Sequence, residues 1–193
     1  MLDYALLEHL RKHHETTYYH SLRVAVLCYQ VGVISNIEQS VILFRGGLFH
    51  DIGKLLIPSS VLSLRRALTL EEYALVKQHV QHGVNILKKC DELEPVIAAV
   101  EGHHEREDGG GYPFGGTSHS DLSRIVAVCD VYDSMTEERE YRRPISKWEA
   151  LRLMEQGELG ALSSKYIEAL SKVVTNNKKI PSPLQNQNLK LTL

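Results

Sequence analysis

These 193 residues hold no excess of basic charge, no closely spaced cysteine pair and no long apolar run. Each absence removes a class of function. Lys and Arg number 22 against 24 Asp and Glu. That balance argues against a non-specific binder of polymeric nucleic acid, which needs a basic surplus to displace counterions. A small anionic ligand needs only a few well-placed cations, so it stays open. Cys28, Cys90 and Cys129 are far apart and form no CxxC motif, which reads as thiols kept in a reducing cytoplasm. The longest apolar run, Val24 to Ile34, contains Gln30 and is too short to cross a bilayer. The opening Leu2 to Leu10 is broken by Asp3, Glu8 and His9, unlike a signal peptide. The expectation is a soluble, cytoplasmic chain without a membrane segment, long enough for one domain to bury a core unaided by disulfides.

The chain does have ten histidines and a recurrent helical period. Three segments open with a hydroxyl residue three positions before a Glu: Ser35–Glu38, Thr69–Glu72 and Ser146–Glu149. In that pattern each side chain satisfies a backbone N–H at a helix start. Tyr73, Val76, Val80, Val84 and Leu87 then step by three or four residues. So do Leu22, Val26, Tyr29 and Val33, and later Leu162, Tyr166, Leu170 and Val173. No stretch alternates with period two between hairpin turns, so the expected fold is all-α, a single domain of about seven or eight helices. Two irregular regions interrupt it, one around Pro58 to Leu68 and a glycine-rich one at Glu105 to Asp121. The expected division is an N-terminal helix over 1–14, the main domain over 15–175 and a loose polar tail over 176–193.

Several histidines and aspartates fall on apolar faces. His50-Asp51 closes a helix expected to begin near Asn36, with Gly53 and Lys54 following. Imidazole nitrogen with carboxylate oxygen suits iron, manganese or zinc better than calcium. His20 shares a stripe with Val24 and Leu27, and His79 shares one with Val76, Gly83 and Ile86. His103-His104 closes a segment carrying Val96, Ile97 and Val100. Asp130 follows the apolar run Ile125 to Cys129, where an unpaired carboxylate is costly to bury. Singly, each reads as a hydrogen-bonded core residue; a shared metal centre would satisfy all five elements at once. His9, His13, His14 and His119 read as surface residues.

In order along the chain stand HS-x-R-V-A (His20 to Ala25), HDIGK-x-x-IP (His50 to Pro58), H-x-x-x-G (His79 to Gly83), HHE-x-x-DG-x-GYP (His103 to Pro113) and RI-x-AV-x-D-x-x-D (Arg124 to Asp133). This order resembles the HD-GYP family, a branch of the HD superfamily of metal-dependent phosphohydrolases, over roughly Tyr18 to Glu155. The resemblance implies metal ligation by His20, His50, Asp51, His79, His103, His104 and Asp130, with Asp51 bridging two divalent transition metals, iron or manganese. It places Lys54 beside the scissile phosphate, and the Gly111-Tyr112-Pro113 loop along the substrate groove. Asp133, Arg139 and Arg142 match positions that contact the ligand in relatives.

The activity implied is hydrolysis of cyclic di-GMP to pGpG or GMP. Other readings are the same chemistry on cyclic GMP–AMP or another nucleotide phosphoester, or a weakly active binding module. Two metal ions can clamp a phosphodiester and lower the pKa of water from 15.7 to ~7. Thr16 stands where some relatives carry a third-ion Glu, so two ions are expected. The Gly115–Arg124 connection is short, and Glu140 replaces a usual Pro. No sensor or receiver segment is recognisable, so input is expected from a signalling partner or from a longer protein.

Overall fold

The computed structural model describes residues 2–117, 120–137 and 143–175. The expected tail at 176–193, together with His119, Arg139, Glu140 and Arg142, lies outside the described residues. Among the described residues every regular element is helical. In chain order these are α1 (Leu2–His13), α2 (Glu15–Ile34), α3 (Ser40–Phe49), a 3-10 turn at Ile52–Leu56, α4 (Ser59–Leu62), α5 (Leu70–Lys77) and α6 (His79–Leu87). A second 3-10 turn at Asp91–Val96 follows, then α7 (Ile97–Glu101), α8 (Asp121–Thr136), α9 (Lys147–Glu155) and α10 (Ser164–Thr175). The helices outnumber the seven or eight expected because the segments around Pro58 and Pro95 form short turns of their own.

The long α2 is the spine, with buried residues around most of its circumference, as a central helix requires. Val24, Cys28 and Val31 pack into one core with Leu43, Ile125, Val128, Tyr166 and Leu170. Ala25 and Tyr29, on its neighbouring face, pack into a second core with Leu10, Phe44, Phe49, Leu87 and Val100. Fully burying one such aliphatic or aromatic side chain stabilises the fold by about 1.5–3 kcal/mol. The cysteines form no disulfide, and Cys28 and Cys129 are buried.

The helix starts show which local signals prevailed. Thr69 and Glu72 form the reciprocal box, with Thr69 Oγ1 accepting from the Glu72 N–H at 3.2 Å and Glu72 Oε2 accepting from the Thr69 N–H at 2.8 Å. Ser146 accepts from the Glu149 N–H at 3.2 Å. The Ser35–Glu38 signal marks a helix end instead. Val31 and Gly32 are still buried, so α2 runs to Ile34. Asn36 then takes φ +55°, and the N–H groups of Asn36 and Ile37 donate to the carbonyls of Val33 (3.2 Å) and Gly32 (2.9 Å). That pair of bonds is the helix-ending arrangement a left-handed Asn supports. The next helix therefore starts at Ser40 rather than near Asn36.

Gly53 sets how closely the first 3-10 turn approaches α6. A Cβ there would stand 1.8 Å from the His79 carbonyl oxygen and 2.4 Å from the Gly83 nitrogen. Only a bare backbone allows that approach, and it brings the His50-Asp51 end of α3 against the start of α6.

Candidate metal centre

Five helices deliver one polar cluster into the interior. His20 comes from α2, His50-Asp51 from the end of α3, His79 from the first position of α6, His103-His104 from the turn after α7, and Asp130 from α8. All are buried except His104, which is half-buried. The donors gather in two sets, His20 with His50 and Asp51, and His79 with His103 and His104; within each set they lie within 4.8 Å of one another. Asp51 stands between the sets. Its Oδ2 is 3.4 Å from His50 Nε2 and 3.8 Å from His20 Nε2, while its Oδ1 is 3.4 Å from His79 Nε2. Asp130 Oδ1 joins the first set, 3.0 Å from His20 Nε2.

The outer nitrogens fix the rings. His50, His79 and His103 each place Nδ1 on the carbonyl three residues back, at Gly47 (2.8 Å), Val76 (2.7 Å) and Val100 (2.6 Å). A carbonyl only accepts, so these Nδ1 atoms carry the protons and the inward Nε2 atoms present lone pairs. Those lone pairs face one another closely, His79 Nε2 being 3.4 Å from His103 Nε2 and 3.2 Å from His104 Nε2. Acceptors crowded this way fit a shared cation.

His20 is held differently, its Nδ1 2.7 Å from Asp133 Oδ2. Arg23 grips the same carboxylate, Nε to Oδ1 at 2.8 Å and Nη2 to Oδ2 at 3.0 Å. Asp133 is thus buried behind His20, with both oxygens bonded by His20 and Arg23. It sits one helical turn beyond Asp130, so α8 sends both carboxylates to His20.

Burial pushes His79 down to about 4, His103 to about 3 and His104 well below the ordinary value, so these three rings are neutral. Burial also opposes charge on His20, but the bonds to Asp130 and Asp133 outweigh it and raise that ring to about 9. Burial would likewise raise Asp51 and Asp130. Lys54, His50 and His79 around Asp51, and His20 and His50 around Asp130, instead hold both well below the usual carboxylate range. Lys54 Nζ donates to Asp51 Oδ2 at 2.6 Å.

The Gly111-Tyr112-Pro113 loop is fastened to the second set. The Tyr112 ring stacks on His104, centroids 4.4 Å apart and planes 20° apart, and Lys77 Nζ lies 4.5 Å from the same ring's centroid. Glu105, to which the sequence pattern assigns no role, is buried and accepts the N–H groups of Phe114 (2.7 Å) and Gly115 (3.2 Å). Gly111 passes so near the chain at 104–106 that a Cβ would fall 2.4 Å from Glu105 Cα. Tyr112 therefore fastens the loop against His104. Two histidines assigned to the surface have structural work: His14 caps α2 through Nδ1 to the Thr17 N–H, and His13 Nε2 lies 2.8 Å from the Ile57 carbonyl.

A family model described as HD domain matches residues 6–161. The chain belongs to the HD domain family. HD domain phosphohydrolases depend on metal, and the His/Asp cluster supplies donors for one. The HD-GYP resemblance is supported by curated relatives. A cyclic di-GMP phosphodiesterase of Pseudomonas aeruginosa is 39% identical over 155 residues, covering 77% of this chain and 37% of its own length. A 3'3'-cGAMP-specific phosphodiesterase of Vibrio cholerae is 33% identical over 159 residues, covering 80% and 37%. The chain thus spans little more than a third of these relatives. Among solved structures, an HDG"Y"P protein from Bdellovibrio bacteriovorus matches 81% of this chain and 52% of its own at TM-score 0.66 and 21% identity. The HD domain of L. monocytogenes PgpH matches 88% and 94% at TM-score 0.63 and 17% identity. Both show the HD domain fold. Among the described residues no helix is long and apolar enough to cross a membrane.

Proposed function

We propose that this HD domain hydrolyses a cyclic dinucleotide, cyclic di-GMP first, at a centre of two divalent ions. The observation that carries the reading is Asp51, whose two oxygens face two separate donor sets of three residues or more. His20, His50, Asp51 and Asp130 would hold one ion, and His79, His103, His104 and Asp51 the other. Imidazole and carboxylate donors suit iron or manganese. When bound, such ions act as Lewis acids on a phosphodiester and supply a nucleophile from water at neutral pH.

The chain's own residues do the rest. Two carboxylates oppose four metal charges, which leaves the centre attractive to a dianion. Lys54, whose ammonium reaches Asp51 at the mouth of the cluster, is placed to hold a phosphoryl oxygen as negative charge grows there. The carbonyl-bound imidazoles keep the donors aimed inward, and the buried walls limit stray water. The names of the curated relatives, one a cyclic di-GMP phosphodiesterase and one a 3'3'-cGAMP-specific phosphodiesterase, support both dinucleotides as substrates. Free buried thiols fit a cytoplasmic setting. Signalling input from a partner protein belongs to the same reading.

The test is anaerobic loading with Fe²⁺ or Mn²⁺, addition of cyclic di-GMP and chromatographic separation of products, with Asp51→Ala alongside. Formation of pGpG or GMP, falling by about 10³-fold or more in the variant, is the expected result. No product from metal-loaded wild type with either cyclic dinucleotide would overturn the reading.

A further inference from the structure

Four of the five imidazoles in the cluster are aimed by a hydrogen bond at the outer nitrogen: His50, His79 and His103 to backbone carbonyls, and His20 to Asp133. His104 is the fifth. Among the described residues no carbonyl or carboxylate bonds its Nδ1, while its Nε2 lies 3.2 Å from His79 Nε2. What covers the His104 ring is Tyr112, stacked with centroids 4.4 Å apart and planes 20° apart. A stack is less directional than a hydrogen bond, since two parallel rings can slide and turn against each other. The direction of His104 is therefore only as firm as the position of Tyr112.

Lys77 holds that position. Its Nζ stands 4.5 Å from the centroid of Tyr112 and 4.9 Å from the centroid of Tyr73, one helical turn earlier on α5. The ammonium is shared between two aromatic rings and makes no ion pair among the described residues. The attraction of a cation to a ring grows as water is excluded, and Lys77 is half-buried. The backbone at Lys77 also matters. Lys77 is the last residue of α5 and His79 the first of α6, and the carbonyl of Val76, just before Lys77, aims the His79 ring. One residue thus sits inside the turn that sets His79 and reaches across to the ring that covers His104.

We propose that Lys77 is a positioning residue for the second donor set: it braces Tyr112 against α5 and so fixes the direction of His104 relative to His79. The part played by His104 as a ligand rests on the two-ion reading above, whereas the brace on the Gly111-Tyr112-Pro113 loop needs no metal. A role through charge alone has the opposite sign. An ammonium near the centre repels a cation, so its removal would tighten metal binding. A brace requires weaker binding on removal, and recovery with Arg, which offers a cation of similar reach to the same two rings.

The experiment compares wild type, Lys77→Ala and Lys77→Arg, with Tyr73→Leu as a variant at an exposed ring. Hydrogen exchange by mass spectrometry, on the metal-free protein, reads the amides of segment 111–115. Exchange there is expected to run about five- to tenfold faster in Lys77→Ala, about twofold faster in Tyr73→Leu and close to wild type in Lys77→Arg. Competition of the Mn²⁺-loaded protein with a chelator then reads the two ions. Lys77→Ala should weaken one ion about tenfold and leave the other within about twofold, and Lys77→Arg should restore most of the loss. Unchanged exchange in Lys77→Ala, tighter metal binding in it, or an equal loss of both ions would overturn the brace. A wild type that takes up no second ion would overturn the two-ion reading instead, and faster loop exchange in Lys77→Ala would still uphold the hold on Tyr112. Circular dichroism of each variant separates a local loosening from a folding loss.

Discussion

Asp51 turns one oxygen to His20 and His50, whose set also draws in Asp130, whereas its other oxygen faces His79, which belongs with His103 and His104 to a set of neutral rings. The first set is charge-dense. His20 sits between Asp130 and Asp133 and is raised to about 9, and Arg23 and Lys54 neutralise the acids from outside. The second set holds no carboxylate of its own and feels Asp51 and Asp130 only from beside it, and burial holds its rings down to about 4 and 3 at His79 and His103. Similar donor types thus make two unequal sets. On the proposed reading the first would hold a cation through Coulomb attraction as well as donation, while the second would rely on ring orientation and a loop fastened behind His104.

The strongest test of this inequality is to remove one ligand from each set. His103→Ala is expected to abolish the second ion and at least about 10²-fold of cyclic di-GMP turnover, while the first ion stays bound. Elemental analysis of the purified variant should show about one ion per chain instead of about two. Loss of both ions would show that the sets are not separable.

A milder change probes the first set from behind. Asp133→Asn keeps the shape but weakens the hold on the His20 ring and leaves Arg23 without its ion pair. Metal affinity of the first set should fall about 10–100-fold, with the second set affected much less. Competition with a chelator reads both constants. An unchanged first site would show that Asp133 does not position His20.

The smallest expected effect is the pH response of the metal-free protein, which separates the sets by sign. His79 and His103 bind fewer protons folded than unfolded between pH 6.5 and about 4, so stability falls as pH drops through that window. His20 has the opposite shift. Its contribution is complete below pH 6.5 and is lost as pH rises toward about 9. Thermal unfolding across this range should therefore show a maximum near pH 6.5, and His20→Gln should remove the alkaline decline alone. A decline that persists in His20→Gln would assign it to another group.

Much of the centre was legible because chemistry conflicts with pattern at its residues. A carboxylate after Ile125 to Cys129, or a histidine on the Val24–Leu27 stripe, violates the local apolar pattern and so announces itself. All seven nominated donors lie together in the structure. The division into two sets was not legible, since it depends on how closely Gly53 lets α3's end approach α6. The bonds of Asp133 to His20 and Arg23 were not legible, because three-residue spacing from Asp130 fixes a shared face but not which neighbour on α2 meets it. Glu105 was missed because its partners are backbone N–H groups nine and ten residues on, which carry no sequence signal. The Ser35 signal failed because the capping pattern is local, while the buried Val31 and Gly32 extend α2 through tertiary packing.

The carbonyl bonds at His50, His79 and His103 share a separation of three residues, each within the turn that carries the ring. Every one of those rings is therefore aimed by its own backbone, independently of its neighbours. Folding of each short segment is enough to set its ligand's direction, and docking of the helices then only has to bring preset donors together. The ordering entropy of three of the five imidazoles is spent during folding, so a metal ion would meet a preorganised cage. His20, aimed from 113 residues away, is the exception, and its ring is the part of the cage that a distant change in α8 can turn.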